Sequence, residues 1–188
     1  MSPDTEVLMA GFGGQGMLLA GKVLAQASMD MGKEVSWLPS YGPEMRGGTA
    51  NVMVCIASKP IGSPLIESPR GLVVMNLPSL EKFAPKVRAG GVIVINRSLI
   101  DKDPARDDCV VVNVLARELA QEAAAPRAAN FVMLGAYAGA TDVLPAEAIE
   151  RAIAVEFSGD KTKFASPSIA AFRAGLEAGR RATFMVRS

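Results

Sequence analysis

Short apolar runs rich in β-branched residues alternate along this chain with longer segments whose apolar positions recur at helical spacing. The runs at 71–75, 92–95 and 110–112 are apolar without interruption, the pattern of strands covered on both faces of a parallel sheet. Residues 5–10, 34–38 and 49–58 read as three further strands, the last alternating in its first half. Residues 15–31 read as a helix packing through Leu18, Leu19, the Lys22 stem, Val23, Gln26 and Ala27, with Gly32 as its stop. A helix over 114–125 ends near Pro126. The next, 128–140, lacks a polar stripe and should be buried on nearly every side. Its Gly135 and Gly139 share a face and invite close approach of another backbone, from this chain or from a neighbouring subunit. Pro145 opens a further helix whose Glu147 and Glu150 complement the dipole, and Ser166-Pro167 starts a last one with Ile169, Phe172 and Leu176 on one side. This order predicts an α/β protein: a three-layer, mostly parallel, doubly wound (Rossmann-like) sheet with a helical C-terminal portion, one domain over 1–188.

The first strand breaks into Gly11-Phe12-Gly13-Gly14-Gln15-Gly16 and passes straight into the first helix. Glycines at such a junction expose backbone N–H groups at a helix N-terminus, where the macrodipole favours anions. Gly11, Gly13 and Gly16 also match G-x-G-x-x-G, the dinucleotide fingerprint. A dinucleotide site further needs an acid at the end of the second strand, about 20 residues on, for the ribose 2′-OH. That position reads Ser36-Trp37-Leu38-Pro39-Ser40 and carries none. The turn therefore suits an anion better than a nicotinamide dinucleotide. Asn76, Asn96 and Asn113 close three of the strand-like runs. They fit either turn and cap chemistry or a polar rim at the carboxyl ends of the strands.

Composition removes several classes of function. With 49% hydrophobic and 21% charged residues the chain is globular, and a net charge of +1 spread along it leaves no footprint for nucleic acid. Uncharged runs such as 128–141 are shorter than the roughly 20 residues that a bilayer crossing takes. Asp4 and Glu6 precede a glycine-broken apolar stretch, unlike a signal peptide, so a cytoplasmic protein without membrane partners is expected. The chain has no histidine, hence neither the usual general base nor an imidazole metal ligand. Cys55 and Cys109 stand far apart in strand-like runs without a CxxC, which predicts buried filler and no metal site.

Between the second and third strands lies Pro39-Ser40-Tyr41-Gly42-Pro43-Glu44-Met45-Arg46-Gly47-Gly48. Its glycines and prolines demand specific turns, as in a plain connection with a local Glu–Arg pair. Tyr41, Glu44, Met45 and Arg46 also suit a shaped contact surface, with Arg46 beside Gly47 and Gly48 as an anion clamp.

Together, Phe12-Gly13-Gly14-Gln15-Gly16 and Ser40-Tyr41-Gly42-Pro43-Glu44-Met45-Arg46-Gly47-Gly48-Thr49-Ala50-Asn51 resemble the gamma subunit of 2-oxoacid:ferredoxin oxidoreductases, the pyruvate/ketoisovalerate/2-oxoglutarate family. The resemblance continues through Ile61-Gly62-Ser63-Pro64, Asn76-Leu77-Pro78-Ser79-Leu80-Glu81-Lys82-Phe83, Gly90-Gly91 and Asn96-Arg97-Ser98-Leu99-Ile100, over most of the chain. It implies a subunit of an oxidoreductase acting on the oxo group of donors with an iron–sulfur protein as acceptor. Thiamine diphosphate and the iron–sulfur clusters would sit on alpha, beta and ferredoxin-like delta subunits, with ferredoxin and coenzyme A as further partners. This chain alone would bind no cofactor and carry no catalytic residue. The implied contacts with coenzyme A or partner chains are Gly11, Gly13, Gly14, Gln15, Gly16 and Arg46, with Tyr41 to Gly48 as an interface loop. The alternative is a freestanding nucleotide-binding Rossmann-type reductase.

Overall fold

The computed structural model describes residues 4–41 and 49–187. Six strands form one sheet in the order β2-β3-β1-β4-β5-β6: β1 (Thr5–Phe12), β2 (Glu34–Tyr41), β3 (Thr49–Ala57), β4 (Gly71–Val74), β5 (Val92–Asn96) and β6 (Val110–Val114). Strands β1, β4, β5 and β6 pair in parallel, whereas β3 runs antiparallel to both β1 and β2. The exception follows from chain length. A parallel neighbour needs a crossover of about a dozen residues or more, and the link from β2 to β3 spans only 42–48.

Alternation along the strands separates two cores. Val7, Met9, Val52, Val54, Val73, Val94 and Val112 face α1 (Met17–Asp30), α3 (Ala116–Glu122), α4 (Ala129–Thr141), α5 (Ala146–Glu156) and α6 (Ala165–Arg187). On the other face Leu8, Ala10, Leu72, Val74, Ile93 and Ile95 meet α2 (Leu77–Phe83) and a 3₁₀ turn at Ala84–Lys86, through Leu80, Phe83, Ala84 and Val87. Helix α2 is absent from the sequence reading because its seven residues, about two turns, offer too little periodicity. It is written instead in its cap, where Asn76 Oδ1 accepts the Ser79 N–H at 2.9 Å.

Helix α4 is buried from Asn130 through Ala140, as its lack of a polar stripe predicts. Its glycines serve an intramolecular contact: a Cβ on Gly135 or Gly139 would overlap the Phe172 or Leu176 carbonyl of α6. The fit is reciprocal, since Gly175 and Gly179 of α6 lie against the Val132 and Ala136 carbonyls of α4.

Three expectations need correction. Lys22 does not pack into the core; it is exposed and bridges to Glu156 at 2.8 Å, and Gln26, also exposed, bonds Asp30 at 2.7 Å. Helix α3 stops at Glu122, short of Ala125, because the residue before Pro126 disfavours helix, and Ala124 turns left-handed at φ 54°. Cys109 is only half-buried, with its thiol toward the Arg88 carbonyl, whereas Cys55 is buried. Burial, with the Glu6 carboxylate second, pushes the Cys55 thiol up to about 11.

Candidate functional site

The sheet reverses its winding between β1 and β4. The chain leaves β1 for α1 on one face and leaves the parallel β4 for α2 on the other. Ligands of open α/β sheets settle in the crevice that such a switch opens at the carboxyl ends of the strands. The glycine turn occupies that position.

Each residue of the turn has a separate reason. Gly11 is the buried partner of Ala50 in β1, and a Cβ there would stand 2.7 Å from Gln15 Oε1 and 3.0 Å from Met75 Cβ. Gly13 is exposed. Gly14 and Gly16 take φ of 91° and 74°, left-handed conformations that favour glycine. Gln15 closes the turn twice: its N–H donates to the Phe12 carbonyl at 3.1 Å, and its Oε1 accepts the Phe12 N–H at 2.6 Å. That second bond consumes an amide that an anion would otherwise use. Gly16 caps α1 with no side-chain bond, and its carbonyl accepts from Asn130 Nδ2 at 3.2 Å.

The turn forms one wall of a groove of about 800 Å³ whose other walls are 124–131, Phe157, Lys163, Phe164, Pro167 and Ser168. The groove is mainly apolar and its cations are Arg127 and Lys163; no acidic residue lines it. Phe157 stands between Phe131 and Phe164, with ring centroids 5.7 and 6.2 Å away. Sequence reasoning missed these residues. They share no signal: Arg127 precedes α4 and Phe164 precedes α6, whereas Phe157 closes α5, and no periodicity links the three.

The strand-end asparagines do local work. Asn96 Oδ1 accepts the Ser98 N–H at 3.1 Å, and Asn113 Oδ1 accepts from Arg97 Nε at 2.7 Å. Asn76 caps α2, so turn and cap chemistry accounts for Asn76 and Asn96, whereas Asn113 holds a side chain from the end of the neighbouring strand. Arg46, with Gly42, Pro43, Glu44, Met45, Gly47 and Gly48, lies outside the described residues; the backbone of Tyr41 ends β2.

A dinucleotide reading is weakened by topology as well as by composition. Strand β3 separates β2 from β1, so the end of β2 sits two strand spacings, about 9–10 Å, from the glycine turn. The two cysteines are further apart still. Cys55 lies in β3 and Cys109 precedes β6, four strand spacings away, about 19 Å. Among the described residues no group of three or more His, Cys, Asp or Glu side chains could hold a metal ion, and no helix is long and apolar enough to cross a membrane.

The fold and crevice define an open α/β domain with a helix start that has no side-chain cap and an adjoining apolar groove. More narrowly, the chain belongs to the pyruvate ferredoxin/flavodoxin oxidoreductase family, whose model matches residues 6–178. It is 39% identical over 180 residues to ketoisovalerate oxidoreductase subunit VorA of Methanothermobacter marburgensis, covering 95% of this chain and 37% of that one. The 2-oxoglutarate synthase subunit KorC of Methanocaldococcus jannaschii is 36% identical over 151 residues, 79% of this chain and 81% of that one. Among solved structures, the keto/oxoacid ferredoxin oxidoreductase gamma subunit of Geobacter sulfurreducens superposes with a TM-score of 0.81 at 28% identity, covering 93% of this chain and 98% of that one. This chain thus spans little more than a third of VorA but nearly all of a gamma subunit. The relatives are subunits of oxidoreductase complexes, and the freestanding-reductase alternative finds no support among them.

Proposed function

We propose that this chain is the gamma subunit of a multisubunit 2-oxoacid:ferredoxin oxidoreductase, acting as one domain in the cytoplasm. It supports coenzyme A-dependent oxidative decarboxylation of a 2-oxoacid, 2-oxoglutarate or pyruvate and its branched-chain analogues. The observation that carries the reading is the end-to-end match to a gamma subunit, 98% of that chain. The donor set agrees with a division of labour. Two cysteines about 19 Å apart and no histidine do not fit an iron–sulfur cluster, so cluster and thiamine diphosphate chemistry belongs to alpha, beta and delta subunits. What this chain contributes is a shaped surface. The Gly11 to Gly16 turn aims an uncapped helix start at the crevice, and Arg46 follows β2 in the interface loop. Both suit the phosphates of coenzyme A or a partner carboxylate.

Co-purification of the native complex, assayed with several 2-oxoacids, coenzyme A and ferredoxin, tests the proposal. The chain is expected in the active complex and inactive alone. Arg46→Ala should raise the apparent KM for coenzyme A about tenfold with kcat retained. An active complex assembled without this chain would refute the subunit role, and an unchanged KM would refute the clamp.

A further inference from the structure

Two arginines share a pocket at the end of the sheet opposite the glycine turn. Arg70 precedes β4 and Arg88 stands in the turn before β5, and both line a cavity of about 460 Å³ with Asp4, Tyr137 and Thr141. That volume suits a small ligand, within the range of roughly 300–1,000 Å³. The length of β1, about 23 Å, separates the pocket from the glycine turn. The backbone holds both arginines in place. The Arg70 N–H donates to the Glu6 carbonyl at 3.0 Å, and its carbonyl accepts the Val92 N–H at 2.9 Å. The Arg88 N–H donates to the Pro69 carbonyl at 3.0 Å, and its carbonyl closes a turn with the Gly91 N–H at 2.9 Å.

The two guanidinium groups are used unequally. Arg88 pairs with the buried Glu6 carboxylate at 2.5 Å, one acid against a fork of five N–H donors. The Arg70 side chain has no acid and no hydrogen-bond partner among the described residues. Asp4 lines the same pocket, but its carboxylate accepts the Ser58 hydroxyl at 2.5 Å, with Lys33 and Lys59 nearby. Two like charges on fixed elements, one of them unpaired, attract an anion, and a guanidinium fork matches a carboxylate with two hydrogen bonds. The facing wall limits how much negative charge fits. The Ser58 bond holds the Asp4 carboxyl below its usual range, and the last turn of α4, at Ala140 and Thr141, presents the negative end of the helix dipole. A singly charged ligand meets less repulsion there than a doubly charged phosphate. Tyr137 is buried between these walls and fixed against Gly71, where a Cβ would stand 2.4 Å from the ring.

We propose that this pocket is a binding site for a small monocarboxylate, held through its carboxylate by the Arg70 and Arg88 guanidinium groups. The site is independent of the contact assigned above to the glycine turn and of the subunit role.

The arginine Nε–H resonances of the nitrogen-15-labelled full chain test it, titrated with propionate, phosphate and chloride at constant ionic strength. Propionate should shift the Arg70 and Arg88 signals saturably in the millimolar range, with phosphate and chloride each at least about fivefold weaker. Arg70→Gln, a change at an exposed residue, should raise the propionate half-saturation read on Arg88 at least about fivefold while melting as the parent does. Shifts that grow linearly with propionate, or that match those with chloride, would reduce the pair to unspecific surface charge and overturn the proposal. An unchanged half-saturation in Arg70→Gln would overturn it as well. Phosphate as tight as propionate would refute the carboxylate assignment.

Discussion

Gly14 and Gly16 share the left-handed conformation but not its surroundings, so they separate backbone strain from crowding. Nothing lies within 4 Å of a Cβ built on Gly14, whereas one on Gly16 would stand 2.8 Å from Asn130 Nδ2. Gly14→Ala is expected to cost only the backbone term, about 1–2 kcal/mol. Gly16→Ala must also displace a buried asparagine and should cost about 3 kcal/mol. Equal losses in urea unfolding of the two variants would show that Asn130 yields freely. The spacing of these glycines was visible in the sequence, and so was the helix that follows. The part played by Gln15 was not, because a side chain that folds back onto Phe12 N–H leaves no mark on periodicity.

At the scale of elements, the crossing of α4 and α6 is the most exacting contact in the fold. Four glycines, Gly135, Gly139, Gly175 and Gly179, let each backbone meet the other's carbonyls. Gly175→Ala inserts a methyl group where the Val132 carbonyl stands, and the obstacle is backbone, which cannot rotate aside. A loss of at least about 3 kcal/mol is expected, measurable as a lowered urea midpoint or as failure to fold. The apolar run of α4 and the spacing of Gly135 and Gly139 announced a buried helix with a close neighbour. They left open whether the neighbour was α6 or a second subunit, since a glycine stripe describes only one side of a contact. The direction of β3 was equally hidden. Its alternating pattern specifies a strand, and only pairing on both sides fixes which way it runs.

Across the whole molecule, depressed carboxylates tie distant segments together. The Arg173 hydrogen bonds hold the Glu150 carboxyl below its ordinary 4.5 and join α5 to α6. The Ser98 hydroxyl does the same for Glu118, linking the end of β5 to α3. Arg106 lowers Asp108 too, but within the single loop before β6. A carboxylate with a depressed folded pKa contributes stability above its unfolded value, and that contribution fades as pH falls through the folded one. Cys55, pushed up to about 11, acts in the opposite sense: its contribution is complete below the ordinary thiol value of 9.0 and fades as pH rises toward 11. Unfolding free energy should therefore be level from about pH 5 to 8 and fall on both sides. In Arg173→Met the acid limb should be shallower; an identical limb would deny the Glu150 pair its role.

The alternation of strands and helices, the buried character of α4, the glycine turn after β1 and the want of histidine and paired cysteines all follow from the sequence by itself. Each depends on neighbours within a few residues or on what the composition lacks, and local sterics, helix dipoles and side-chain chemistry act at that range. The insertion of β3 between β2 and β1, the pairing of the four helix glycines and the meeting of the glycine turn with Phe131, Phe157 and Phe164 at one groove were decided only in the tertiary structure. These features join residues separated by tens to more than a hundred positions. Their geometry is set by how two cores close over a twisted sheet, and no periodicity along the chain encodes that closure.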